Sequence, residues 1–146
     1  MNEKKEGVSK STQGKKNRAA GVRFEARVRA EMEKMGWVIS KWMNTVDFEK
    51  DGKIGKIVPA KRKYNPFRKV LGIGVGFPDF VCFKKLSEES YEVIGLEVKG
   101  NGYLDQKEKS MCHWLIDSRV FSRVLIAKKG KKRGEVEYID FKEKYR

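Results

Sequence analysis

Apolar and polar positions follow two periods along this chain. Over residues 19–36, Phe24, Val28, Met32 and Met35 recur at steps of four, four and three, which predicts an amphipathic helix closed by Gly36. A second helix is expected from Leu104-Asp105 onward. Asp105 has the character of an N-cap, Glu108 follows three residues later as in a capping box, and Leu104, Glu108, Met111 and Leu115 share a side with Trp114 beside them. Between and after these helices the period shortens to two. Strands are predicted over 37–43, 79–84, 91–99, 121–127 and 136–141, with a basic turn through 128–133. Residues 46–63 contain Asp51-Gly52 between two β-prone pieces and read as a hairpin. The order helix, strand, hairpin, strand, strand, helix, strand, strand describes an α/β fold, a mixed central sheet flanked by helices with an inserted basic hairpin.

Residues 1–18 are different, carrying Lys4, Lys5, Lys10, Lys15, Lys16 and Arg18 among polar residues with little to bury. They are expected to form a disordered basic arm ahead of one domain over 19–146. A length of 146 residues suffices for a core without staples. The net charge of +14 makes a polyanion the natural partner, and nucleic acid the first choice. The densest cationic stretch of the domain includes Lys61, Arg62, Lys63, Arg68 and Lys69, interleaved with Tyr64 and Phe67, and is expected to contact a phosphate backbone. Cys82 and Cys112 lack metal-ligand spacing and read as buried thiols of a reducing compartment. No apolar run approaches the roughly 18 residues of a membrane span, and the start of the chain lacks a signal-peptide core. A cytoplasmic protein without membrane contact is therefore expected.

Candidate chemistry lies on the strands. Period-two geometry puts Glu97 and Lys99 on one face with Gly95, while Ile94, Leu96 and Val98 fill the other. Gly95 would leave a gap for a ligand. Asp79 heads the neighbouring strand, where a spacing of about 4.8 Å would bring its carboxylate near that of Glu97. Two acids so close need a cation when both are ionised, and Mg²⁺, which favours oxygen ligands, suits them. The Val98 carbonyl would add a third oxygen. Lys99 would position or help deprotonate an attacking water and stabilise charge on a phosphate. Glu25 lies close to the apolar stripe of the first helix, where it would snorkel to solvent, pair with Arg29, or complete the acidic shell directly or through water. The glycine-alternating loop Gly72, Gly74, Gly76 is followed by Pro78 and a β-prone run rather than a helix. It therefore reads as a flexible approach to Asp79 and not as a nucleotide fingerprint. His113 stands without a Cys or Asp partner at useful spacing and reads as structural.

Together, Gly21-Val22-Arg23-Phe24-Glu25, Gly76-Phe77-Pro78-Asp79-Phe80 and Glu97-Val98-Lys99 resemble, in order, the first-helix glutamate, metal-binding aspartate and signature motifs of the PD-(D/E)xK, restriction-endonuclease-like nuclease superfamily. In motif order the nearest subgroups are the archaeal Holliday-junction resolvases and the virus-type replication-repair nucleases. The resemblance covers most of the chain after the basic arm. It implies a four-stranded core sheet with a helix on each side, Mg²⁺ or Mn²⁺ as cofactor, and hydrolysis of DNA. Relatives often carry a glutamine at the third position of the second helix. Here that position is Glu108, and Gln106 stands two residues earlier. Small size without a separate sequence-reading domain points to recognition of branched DNA by shape and charge. Cutting two strands needs two sites, so a homodimer would suit this activity, although no surface stripe marks a dimer face. A non-catalytic nucleic-acid-binding protein whose acids form salt bridges is the alternative, and an RNA-directed enzyme of the same fold is a third reading.

Overall fold

The structure, a computed structural model, describes residues 10–49, 55–60, 63–65, 70–72 and 76–145. Helix α1 spans Lys10–Lys34. Phe24, Val28 and Met32 form its buried stripe. Gly36, at φ 94°, ends it: its N–H donates to the Glu33 carbonyl, and the Trp37 N–H donates to the Met32 carbonyl. This is the paired geometry of a Schellman stop. Met35 lies beyond the last helical turn and is exposed, so it does not extend the stripe. The helix starts well before the expected Ala19. Residues 10–18 are thus helical rather than an unstructured arm, and those from Thr12 to Arg18 face solvent almost entirely. Lys, Gln and Arg are good helix formers without an apolar face, and Gln13 Nε2 donates to Asn17 Oδ1 one turn on.

Strands β1 (Val38–Lys41), β6 (Phe80–Ser87), β7 (Ser90–Val98), β8 (Val124–Lys129) and β9 (Val136–Asp140) form one mixed sheet in the order β1-β6-β7-β8-β9. The implied four-stranded core is therefore five-stranded. Neighbours pair antiparallel except β7 and β8, which run parallel and are joined through α2 (Gln106–Asp117). A short helix, α3 (Phe141–Lys144), was not foreseen. The fourth strand of the sheet starts at Val124, not Phe121. Two ribbons lie outside the sheet, β2 (Asn44–Phe48) with β3 (Gly55–Pro59), and β4 (Lys63–Asn65) with β5 (Val70–Gly72). The first corresponds to the predicted hairpin. Its Asp51-Gly52 turn lies outside the described residues.

Period-two alternation divides the sheet into two cores. On one face Phe80, Cys82, Ile94, Leu96 and Ala127 pack against Phe24, Val28 and Met32 of α1. On the other, Val81, Val124 and Ile126 pack with Met111, Cys112 and Leu115 of α2, together with Phe121, Phe141 and Val46. Fully burying one such side chain contributes about 1.5–3 kcal/mol, so these contacts fix which way β7 faces. With Leu96 committed to α1, Glu97 must point toward α2.

Candidate metal centre

The segment leading to Asp79 is clamped by backbone contacts. Phe77 N–H donates to the Asn44 carbonyl at 2.9 Å, and Trp42 N–H donates to the Asp79 carbonyl at 3.0 Å. A Cβ on Gly76 would sit 2.0 Å from the Trp42 carbonyl oxygen. Gly76 is therefore demanded by a close approach of two backbone segments, so at this glycine the lead-in is packed rather than flexible. Residues 73–75 lie outside the described residues.

The β6–β7 ladder pairs Phe80 with Leu96, so the next step would oppose Asp79 and Glu97. Asp79 has left the strand by then, and its side chain completes the ladder: Oδ2 accepts the Val98 N–H at 2.9 Å. The Glu97 carboxyl, only 4% exposed, lies within hydrogen-bonding reach of Asp79. Burial foremost, then the hydrogen bond and charge of Asp79, push the Glu97 carboxyl up to about 10 from an ordinary 4.5; Lys99 draws it down and Glu108 adds to the rise. Two carboxyls in this arrangement require a shared proton or a cation.

Lys99 Nζ lies 2.8 Å from Glu108 Oε2. The other Glu108 oxygen accepts the Asp105 N–H at 3.0 Å, while Asp105 Oδ1 accepts the Glu108 N–H at 2.8 Å. The predicted capping box is thus present, and the same glutamate holds the lysine. Burial works to lower the pKa of the Lys99 ammonium, but the Glu108 hydrogen bond and the charges of Glu97, Glu108 and Asp79 outweigh it, and the net direction is upward. Lys99 is consequently held as a cation. This fits charge stabilisation and water positioning.

Glu25 is not brought into the acid pair. Its carboxylate is paired with Lys41 Nζ at the end of β1, and that ammonium also lies 4.8 Å from the Phe80 ring centroid. The physical reason is the sheet itself. Asp79 lines two hollows, one of about 620 Å³ on the α1 side with Glu25, Val98 and Lys129, and one of about 380 Å³ on the α2 side with Glu97, Lys99 and Glu108. Glu25 borders only the first and Glu97 only the second, with Asp79 and Val98 between them. Among the described residues, no group of three or more His, Cys, Asp or Glu side chains forms a metal set. The gap expected at Gly95 is also filled, because a Cβ there would meet Pro78 Cγ at 2.8 Å and Phe121 Cδ2 at 3.0 Å. That packing seats the Pro78-Asp79 corner on β7.

The donor set that does assemble, two carboxylates facing water-accessible hollows, suits a hard divalent cation that keeps several waters. Softer chemistry finds no place beside it. The Cys82 thiol is buried and pushed up to about 12 by desolvation, and Cys112 is buried and raised for the same reason first. His113 packs edge-on against Phe141 with Lys142 Nζ 3.5 Å from Nδ1, in keeping with a structural role.

Of the expected phosphate contacts, Lys61, Arg62, Arg68 and Lys69 lie outside the described residues, and Lys63 is described only as backbone in β4. Sequence reasoning missed the second duty of Glu108 and the Glu25–Lys41 pair. The helical stripe had suggested Arg29 as a partner for Glu25, whereas Lys41 becomes available only once β1 pairs with β6. No helix among the described residues is long and apolar enough to cross a membrane. Comparison with protein-family models, curated proteins and solved structures gives no match for this chain.

Proposed function

We propose that this chain is a metal-dependent DNA endonuclease of the PD-(D/E)xK, restriction-endonuclease-like type, acting on branched DNA by shape and charge. The observation that carries the reading is the buried Glu97 carboxyl sharing its place with Asp79, beside the Lys99 ammonium that Glu108 holds. A structural ion pair does not need a second acid, and burying two acids together is costly without a cation. The antiparallel β6–β7 pair followed by the parallel β7–α2–β8 crossover also supports the fold assignment.

In this reading Asp79 and Glu97, with the Val98 carbonyl, hold Mg²⁺ or Mn²⁺. When bound, the cation supplies Lewis acidity toward a phosphoryl oxygen and toward water. Lys99 donates hydrogen bonds to the non-bridging phosphate oxygens and offsets the charge that grows on them as the phosphorus–oxygen bond breaks. Glu108 fixes where the ammonium points. Glu25, paired with Lys41, borders the other hollow, where it would face the substrate rather than the cation.

The alternative is a basic nucleic-acid-binding protein without catalysis. It is favoured by the engagement of Glu25 and Lys99 in ion pairs and by the lack of a three-acid set among the described residues. Incubation with plasmid, single-stranded and four-way-junction DNA in Mg²⁺ or Mn²⁺ separates the two. The nuclease reading expects cleavage, fastest on the junction, abolished in Asp79→Ala with salt-dependent binding retained. Intact DNA throughout the panel supports the binder, and cutting confined to a parallel RNA panel reassigns the substrate.

A further inference from the structure

The groove beside Asp79 continues into a second cleft, of about 360 Å³, between α1 and the β8–β9 turn. The two share Ala20, Phe24 and Lys129. Six cations line the second cleft: Arg23 and Arg27 from α1, Lys129 from the end of β8, and Lys131, Lys132 and Arg133 from the turn. All six are exposed.

Lys129 Nζ lies 5.9 Å from the Phe24 ring centroid, a contact that brings no counter-charge. Several cations elsewhere are matched with acids, as in Lys41–Glu25, Lys99–Glu108, Arg123–Glu92, Lys128–Glu137 and Lys142–Asp117. Among the described residues none of the six cleft cations forms an ion pair. The lone acid of the cleft, Glu135, is committed to the turn: its Oε2 accepts the Lys132 N–H at 3.2 Å, and its carbonyl accepts the Gly130 N–H at 2.9 Å. Gly134 at φ 85° completes the bend. The turn is thus built in one shape while its cations are left without a counter-charge. Like charges gathered without counter-charge repel one another, and an anion with several charges relieves this.

We propose that this cleft is the track along which a nucleic-acid backbone is gripped by its phosphates and led toward Asp79. The direction of the track rests on the nuclease reading; the grip does not. No exposed aromatic ring lines the cleft, so it offers no stacking platform for unpaired bases and is suited to backbone phosphates irrespective of sequence. The helical residues Lys15, Lys16 and Arg18 extend the positive surface beyond it.

The test is binding of a fluorescein-labelled 20-base-pair duplex by full-length protein in EDTA, read by anisotropy over a salt series. The variants are Lys131→Ala/Lys132→Ala/Arg133→Ala on the turn and Arg23→Gln/Arg27→Gln on the helix, with Lys84→Ala/Lys85→Ala on β6 as control. Each lost phosphate contact lowers the slope of log affinity against log salt by about 0.9, so the turn variant is expected to lose about 2.7 and the helix variant about 1.8. The control should keep the wild-type slope. Thermal melts of the two cleft variants should match wild type, since their substituted side chains are exposed.

Wild-type slopes in both cleft variants, or equal losses in the control, would overturn the proposal. So would loss of binding to phosphatidylserine vesicles with DNA binding retained, which would reassign the cleft to a lipid surface. The readout needs no hydrolysis. A wild type that binds through the cleft but cuts nothing sinks the nuclease reading alone, and one that cuts normally with the cleft neutralised sinks the track alone.

Discussion

Glu97→Gln isolates the electrostatic cost at the centre of the site. Between its ordinary value of 4.5 and the folded-state value of about 10, the native protein keeps a proton on Glu97 that the unfolded chain has released. A raised folded-state pKa means stability that is complete below 4.5 and is lost as pH rises through that window. The loss from this group is at most about 1.4 kcal/mol per pH unit, hence on the order of 2–4 kcal/mol between pH 5.5 and 8.5 once local relaxation is allowed for. Glutamine has no proton to lose, and its amide can still donate to Asp79. Urea denaturation in EDTA at pH 5.5, 7 and 8.5 should therefore show wild type weakening relative to Glu97→Gln as pH rises, with the variant the more stable at pH 8.5. Adding Mn²⁺ at pH 8.5 should restore wild type, by about 2.7 kcal/mol at a hundredfold excess over Kd, and help the variant less. Stability curves that stay parallel across pH, with and without cation, would refute the argument that Glu97 and Asp79 share a proton or a metal.

Two further substitutions probe how the site is held. Glu108→Gln keeps an acceptor for the Asp105 N–H but removes the charge opposite Lys99, so the helix should melt as in wild type while DNA cleavage slows about tenfold, a loss near 1.4 kcal/mol in transition-state stabilisation; equal rates would show that Lys99 needs no such positioning. Gly76→Ala places a methyl 2.0 Å from the Trp42 carbonyl oxygen, where neither backbone can yield cheaply, and should destabilise by about 3 kcal/mol or more in thermal or chemical denaturation; a neutral result would contradict the close approach.

What the sequence disclosed was whatever depends on neighbours a few residues apart. The Asp105–Glu108 capping box, the Phe24, Val28, Met32 stripe and the shared face of Glu97 and Lys99 follow from helix and strand periods, and each is present. The meeting of Asp79 with Glu97 was legible as well, because antiparallel pairing of adjacent strands allows few registers. Features set by distant segments were hidden. Pro78 and Phe121 fill the space above Gly95, Lys41 reaches Glu25 only through the β1–β6 ladder, and Arg23 and Arg27 meet the β8–β9 turn across the end of the sheet. The helical run through 10–18 was missed because an all-polar composition was read as a lack of structure, whereas α1 needs its apolar stripe only further along.

Calorimetric titration of Mn²⁺ into wild type and into Asp79→Asn bears most directly on the claim that this acid pair is a cation site. One site per chain is expected in wild type, with proton release near neutral pH as the cation displaces the proton on Glu97, and loss of both binding and proton release in Asp79→Asn. Equal Mn²⁺ binding by the two proteins, or none by wild type across pH 6 to 9, would contradict it.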